Sequence, residues 1–139
     1  MRVYVYFVGK PRDANARAMS EEYVKRTTRY FACEMREVNP AKFDAWMRHP
    51  AAMKIVLDAA GRAFDSVAFA ELLSKSEMQG RDIVFLIGGY EGPPAAWIAR
   101  ADMLLSLSPL TFPHELARVI LTEQIYRAAA GMRGHPYPH

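Results

Sequence analysis

An α/β architecture with a mainly parallel sheet sandwiched by helices is what this sequence predicts, and three observations carry the expectation. Short β-branched and aromatic runs alternate with segments of helical periodicity, in the order β-α-β-α-β-α-β-α-β-α. The run Ile83-Val84-Phe85-Leu86-Ile87 is apolar at every position, as a parallel strand covered on both faces must be. No repeat, low-complexity tract or linker interrupts the 139 residues, which fits one domain over residues 1–139.

Residues 2–8 are β-branched and aromatic and stop at Gly9-Lys10-Pro11, which predicts the first strand. Asp13 can cap a helix reaching about Tyr30, with Ala18, Glu22, Tyr23, Arg26 and Tyr30 at helical spacing. Residues 32–38 alternate weakly and read as an edge strand. Asn39-Pro40 resembles a helix start, because proline suits the first turn, and predicts a helix to about His49. Met53–Leu57 reads as a buried strand ending at Asp58, followed by a turn through Gly61. Ser66 opens a helix to about Met78, which Gly80 closes. After Ile83–Ile87 come the loop Gly88–Pro94, a short helix over Ala95–Arg100, a strand over Met103–Leu107 and a loop over Ser108–Pro113. His114–Gly131 is the long final helix.

Composition excludes several classes. Hydrophobic residues make up 51% and charged residues 24%, an ordinary globular balance rather than a disordered one. Cys33 is the sole cysteine, so no internal disulfide is possible, and no Cys/His spacing fits zinc. Apolar runs fall far short of the ~18 residues that span a membrane. The first eight residues alternate too strongly for a signal peptide, so the expectation is a soluble, cytoplasmic protein without metal or membrane. Net charge is +3, yet residues 1–30 alone carry +4. That basic segment is either a solvated helix face or a contact for a polyanion such as RNA.

In parallel sheets, ligands bind beyond the carboxyl ends of the strands. Three loops leave such ends: Asp58–Phe64, Gly88–Pro94 and Ser108–Pro113. Gly88-Gly89-Tyr90-Glu91-Gly92 is either a turn needing positive φ or a cradle letting backbone N–H groups approach a ligand. It has neither Walker nor dinucleotide spacing. In the loop Ser108, Pro109, Leu110, Thr111, Phe112 and Pro113, two prolines stiffen the backbone while Leu110 and Phe112 offer a wall for an aromatic ligand. His114 follows as a cap, a packed imidazole or a catalytic candidate. Asp58 and Glu91 stand at strand ends, as turn-formers or as an acid–base pair. The tail Gly134-His135-Pro136-Tyr137-Pro138-His139 is unusually aromatic and stiff for a chain end, and Arg127 and Arg133 precede it.

These motifs together carry a resemblance. Ile83–Gly92 resembles the first signature of the RlmH family, the ribosomal RNA large subunit methyltransferase H family of the SPOUT superfamily. Leu105–His114, followed by Leu116-Ala117-Arg118-Val119 and Glu123-Gln124-Ile125-Tyr126-Arg127-Ala128, resembles the second. His135-Pro136-Tyr137 resembles the C-terminal signature. The similarity covers the whole chain and is dense from Asp82 onward.

The resemblance implies S-adenosylmethionine as methyl donor, a homodimer and a deep C-terminal trefoil knot, an exception to unknotted topology. Its implied substrate is N3 of a pseudouridine in helix 69 of 23S rRNA within the assembled ribosome. Carried over by position, the cofactor residues are Leu57, Gly89, Ser108, Pro109, Leu110, Thr111, Phe112 and Pro113. Tyr137, His139 and His114 are the candidate catalytic residues. Relatives commonly end His-Pro-Tyr-His before a basic residue, whereas this chain reads Tyr137-Pro138-His139. The alternative is a catalytically silent ribosome-binding protein on the same fold. For the dimer, the final helix offers Leu116, Val119, Ile120 and Tyr126 as burial sites.

Overall fold

The structure, a computed structural model, describes residues 1–137. Along the chain run β1 (Arg2–Phe7), α1 (Ala14–Thr27), β2 (Ala32–Glu37), α2 (Ala45–Arg48) and β3 (Met53–Ala63). Then follow α3 (Ser66–Met78), β4 (Ile83–Ile87), α4 (Ala95–Arg100), β5 (Met103–Ser106) and α5 (His114–Met132). The strands form one sheet in the order β2-β1-β4-β3-β5. Every pairing is parallel.

The central position of β4 follows from its sequence. All five of its side chains are buried, which only a strand with neighbours on both edges and helices on both faces permits. On one face Val3, Val5, Ile55, Leu57, Ile83, Phe85 and Ile87 pack against Phe69 and Leu73 of α3 and Leu121 and Ile125 of α5. On the other, Tyr6, Val56, Val84 and Leu86 meet Ala45 of α2 and Trp97 of α4. Helix α1 lies against α5. Its start follows the sequence expectation, because Asp13 accepts hydrogen bonds from the N–H groups of Asn15 and Ala16.

Two elements differ from the expectation. The helix expected from Asn39-Pro40 to His49 shrinks to Ala45–Arg48. Asn39 Oδ1 takes the Ala41 N–H at 3.0 Å and the Asn39 carbonyl takes those of Lys42 and Phe43, so one turn closes and stops. Asp44 then caps the helix through Trp46 and Met47. The turn expected through Gly61 is instead a bulge within a longer strand. Leu57 pairs with Leu105, the chain leaves the ladder, and Arg62 and Ala63 rejoin it beside Leu105 and Ser106. The Asp58 carboxylate takes the Ala60 N–H at 2.8 Å and shapes this detour.

Gly61 makes the return possible, since a Cβ there would stand 2.6 Å from the Leu104 carbonyl carbon. Gly61→Ala is therefore expected to destabilise the protein by about 1–3 kcal/mol. Gly131→Ala, in α5 with open space around it, should stabilise by up to about 1 kcal/mol. Urea denaturation midpoints of the two variants check both signs.

Candidate functional site

The carboxyl ends of β3, β4 and β5 enclose a crevice of about 290 Å³. Leu57, Ile87, Leu105 and Leu107 form its apolar side. Gly88, Gly89, Gly92 and Pro93 supply backbone on a second side, and Ser108, Leu110, Thr111 and Phe112 supply a third. Of the residues carried over for the cofactor, Leu57, Gly89, Ser108, Leu110, Thr111 and Phe112 thus border one cavity. Pro109 and Pro113 belong to the same loop without lining it. The two strand-end loops meet because β4 and β5 flank β3 in the sheet.

Each loop has a local cause. In the glycine loop only Gly92 has positive φ, at 82°, while the Gly92 N–H returns to the Gly89 carbonyl at 3.0 Å. Gly88 is required for a different reason: a Cβ there would lie 2.2 Å from the Gly92 carbonyl carbon and the Pro93 nitrogen. A Cβ on Gly89 would meet the Val8 carbonyl oxygen at 3.1 Å, so this glycine fits against the end of β1. In the proline loop, Ser108 Oγ accepts the Leu110 N–H at 3.0 Å, and Ser106 Oγ donates to the Ser108 carbonyl at 3.0 Å. These bonds fold the loop over the crevice. Tyr90 and Leu110 are largely exposed at these loops.

The ionisable groups at the crevice are few. Asp58, on the bulge of β3, and His114, at the start of α5, both border it. Among the described residues no lysine or arginine does. A site for phosphates would ordinarily offer such cations. This one suits a flat, uncharged base beside a positively charged group. No group of three His, Cys, Asp or Glu side chains among the described residues could hold a metal ion.

Tyr137 lies elsewhere. Its hydroxyl donates to Glu123 Oε2 at 2.9 Å, its ring meets Tyr126 edge-on at 4.9 Å, and the Arg127 guanidinium carbon lies 4.8 Å from the ring centre. Glu123 also accepts two hydrogen bonds from Arg127, at 3.1 and 2.8 Å. Burial, then the hydrogen bonds to Glu123 and Tyr23, push the Tyr137 phenol well above its ordinary range. It is held as a proton-bearing donor rather than a base. Glu123 is nine residues from His114 along α5, about 14 Å of helix. One chain therefore does not bring Tyr137 and His114 into one cavity. His139 lies outside the described residues.

Sequence reasoning also passed over Arg118. It is 3% exposed; its Nη2 donates to the Val8 carbonyl at 3.0 Å, and its guanidinium carbon stands 3.9 Å from the Phe7 ring centre. It thereby holds the backbone against which Gly89 rests. The only sequence signal was a charge set between Ala117 and Val119 in an apolar stretch. Of the apolar positions on α5 offered for a dimer, Val119 and Tyr126 are buried within their own chain. Leu116, by contrast, is 45% exposed.

Sequence and fold both have counterparts among known proteins. Residues 1–139 match the family described as predicted SPOUT methyltransferase. The chain is 58% identical over 137 residues to ribosomal RNA large subunit methyltransferase H of Solibacter usitatus, covering 99% of each. It is 42% identical over 137 residues to a protein of that name from Thermus thermophilus, covering 99% of this chain and 98% of that one. Among solved structures it resembles a probable methyltransferase from Bordetella pertussis, with a TM-score of 0.61 at 11% identity, covering 92% of this chain and 96% of that one. It also resembles an AdoMet-bound rRNA methyltransferase from Sinorhizobium meliloti, with a TM-score of 0.61 at 15% identity, covering 91% and 56%. The chain belongs to the SPOUT methyltransferases and, within them, to the ribosomal RNA large subunit methyltransferase H family.

Two outcomes follow from this geometry. Gly88→Ala forces backbone against backbone and should cost about 3 kcal/mol, whereas Gly89→Ala, with room for a shift of tenths of an ångström at Val8, should cost about 1 kcal/mol; denaturant unfolding separates them. The second concerns the base of the tail, where Arg133 grips Glu77 at 2.9 and 2.7 Å. Those hydrogen bonds pull the Glu77 carboxyl below its ordinary range. A folded-state pKa below the unfolded one stabilises above about pH 4.3 and is lost as pH falls through the lowered value. Arg133→Gln should therefore lower stability by up to about 1 kcal/mol at pH 7, the pair being partly solvated. The variant and the parent should converge as pH falls below about 4.

Proposed function

We propose that the protein transfers a methyl group from S-adenosylmethionine to large-subunit ribosomal RNA, at N3 of a pseudouridine in helix 69 of 23S rRNA on the assembled ribosome. The observation that carries this reading is the charge character of the crevice. Its borders hold the carboxylate of Asp58, the imidazole of His114 and the hydroxyl residues Ser108 and Thr111, with apolar side chains and backbone for the remainder. Such a lining suits a nucleoside without phosphates that bears a sulfonium and an ammonium group. When bound, that molecule supplies an electrophilic methyl carbon. The names of the relatives supply the RNA class, and a methyltransferase from Legionella pneumophila with a TM-score of 0.55 was solved with SAM bound.

The chain's own residues would act mainly by placement. Leu57, Ile87, Leu105 and the Ser108–Phe112 loop would hold the cofactor's adenosine. Displacement at a methyl carbon depends on alignment, so a rigid cradle supplies much of the rate. The N3 proton of the base must leave, and Asp58 and His114 are the titratable groups bordering the crevice. Tyr137 would donate a hydrogen bond or stack on the target base. Since one chain keeps Tyr137 apart from the crevice, we extend the proposal to a homodimer in which one protomer's tail, including His139, completes the crevice of the other. The trefoil knot and a cytoplasmic location belong to the same reading, and no helix among the described residues is long and apolar enough to cross a membrane.

Incubation with ribosomes lacking the modification and labelled S-adenosylmethionine tests the proposal. One methyl group per ribosome is expected, on the base of a pseudouridine by nucleoside mass spectrometry. Tight cofactor binding with no transfer would instead establish a silent ribosome-binding protein. Removal of residues 135–139 should abolish transfer while calorimetry shows S-adenosylmethionine affinity within a few-fold of the parent. Unchanged turnover would remove the tail from the mechanism.

A further inference from the structure

We propose that the groove between α2 and α4 is a contact for unpaired nucleotides of the RNA, with a base stacking at Trp46 and Arg100 and phosphates meeting Lys42 and Arg48; this rests on the RNA reading above. The groove has a volume of about 610 Å³. It lies on the face of the sheet opposite α3 and α5. Lys42, Asp44, Trp46, Met47, Arg48 and Arg100 border it.

The cations here outnumber the carboxylates and can be reached. Among the described residues Asp44 is the one carboxylate on the border. It is already engaged, since it accepts the Trp46 and Met47 N–H groups at 2.9 and 3.2 Å and pairs with Arg100 at 3.4 Å. Lys42 and Arg48 are exposed, and neither side chain has a hydrogen-bond or ion-pair partner among the described residues. On the adjoining edge strand, Glu34 and Arg36 stand level with Tyr4 and Tyr6 on this same face and offset one another. The excess at the groove therefore remains. Two solvated cations on one surface suit a polymer that carries a charge at every residue, because each phosphate they neutralise releases counterions.

The stacked pair at the centre favours nucleotides over an acidic protein segment. The Arg100 guanidinium carbon lies 4.5 Å from the centre of the Trp46 ring, and the indole Nε1 donates to the Arg100 carbonyl at 3.0 Å. Each residue holds the other in place, yet the Arg100 side chain is 50% exposed. A guanidinium plane seated on an indole offers its outer side to a base, and single-stranded RNA is recognised in this way. Met47 beside it is apolar and fully open to solvent on one side of the groove. Position agrees with the charge. Gly92 and Pro93 border the cofactor crevice, and Ala96 and Trp97, about one turn further along the chain, border this groove. A strand entering one can continue over the other. The basic excess of residues 1–30 lies elsewhere, where Arg17 and Arg26 pair with Glu21 and Glu22 along α1.

The test compares three proteins with the parent. Lys42→Ala with Arg48→Ala removes the free cations, and Arg100→Lys keeps the charge but loses the plane. Lys25→Ala with Arg29→Ala is a control of equal charge loss at the far end of α1 and beyond it. Binding to assembled ribosomes lacking the modification is measured as a function of salt, with single-stranded polyuridylate and polyglutamate as competitors. S-adenosylmethionine calorimetry is run on each protein. The Lys42 and Arg48 pair should weaken ribosome binding about tenfold and reduce the salt slope by about 1.4, as two phosphates on a single strand require. Arg100→Lys should weaken it about fivefold with the slope unchanged. Cofactor affinity should stay within about twofold throughout, and the control should bind nearly as the parent does. Equal losses in the two double variants, no loss in the first or in Arg100→Lys, or displacement by polyglutamate as readily as by polyuridylate would overturn the inference. Each of these leaves methyl transfer by the parent intact. A parent that binds ribosomes through Lys42 and Arg48 without transferring methyl would overturn the proposed reaction and leave the groove standing. A parent with no affinity for ribosomes would overturn both.

Discussion

The buried guanidinium of Arg118 is the joint on which the functional edge of the sheet depends. From the second turn of α5 it donates to the carbonyls of Val8 and Gly9, at 3.0 and 3.4 Å, just beyond β1. Its plane covers Phe7, and Glu115, one ion-pair distance away, caps the backbone leading into α1. Strand β1, helix α1 and helix α5 are thus fixed to one another at a single point. Burying a charge costs several kcal/mol unless hydrogen bonds offset it, so such a group survives where it sets geometry that nothing cheaper would set. Here that geometry is the position of Val8, the surface against which Gly89 and its loop are seated.

From that seat the chemistry of the crevice follows. The glycine loop turns without side chains, so it presents backbone to a ligand, and the proline loop is folded by Ser106 and Ser108 rather than by charged groups. Specificity then comes from shape and from what is missing, since no lysine or arginine among the described residues borders the cavity.

Much of this frame was legible in the sequence because it depends on local pattern. The unbroken apolar run of Ile83–Ile87 placed the central strand, Asp13 marked the start of α1, and the weak alternation of residues 32–38 marked the edge. The strand-end loops pointed to this crevice because ligands of parallel sheets bind beyond the carboxyl ends of the strands. What was illegible depends on distant contacts. Gly61 reads as a turn residue, yet its role is to let β3 return to β5 beside Leu104. Asn39-Pro40 has the chemistry of a helix start, but Asn39 spends its side chain and carbonyl closing one turn. Gly88 and Gly89 looked alike in sequence; one is excluded from bearing a side chain by Gly92 and Pro93, the other is tight only against Val8. Arg118 could not be assigned, because its partners lie more than a hundred residues away.

The central claim is that the crevice selects a nucleoside by shape and by its lack of cationic side chains. Titration calorimetry of the protein with S-adenosylmethionine and, separately, with adenosine triphosphate tests it most directly. The two ligands share an adenosine and differ in the charge it carries. The account predicts one S-adenosylmethionine per chain and binding of adenosine triphosphate weaker by about a hundredfold or more, roughly 2.7 kcal/mol. Equal affinity for the two, or tighter binding of the triphosphate, would contradict it.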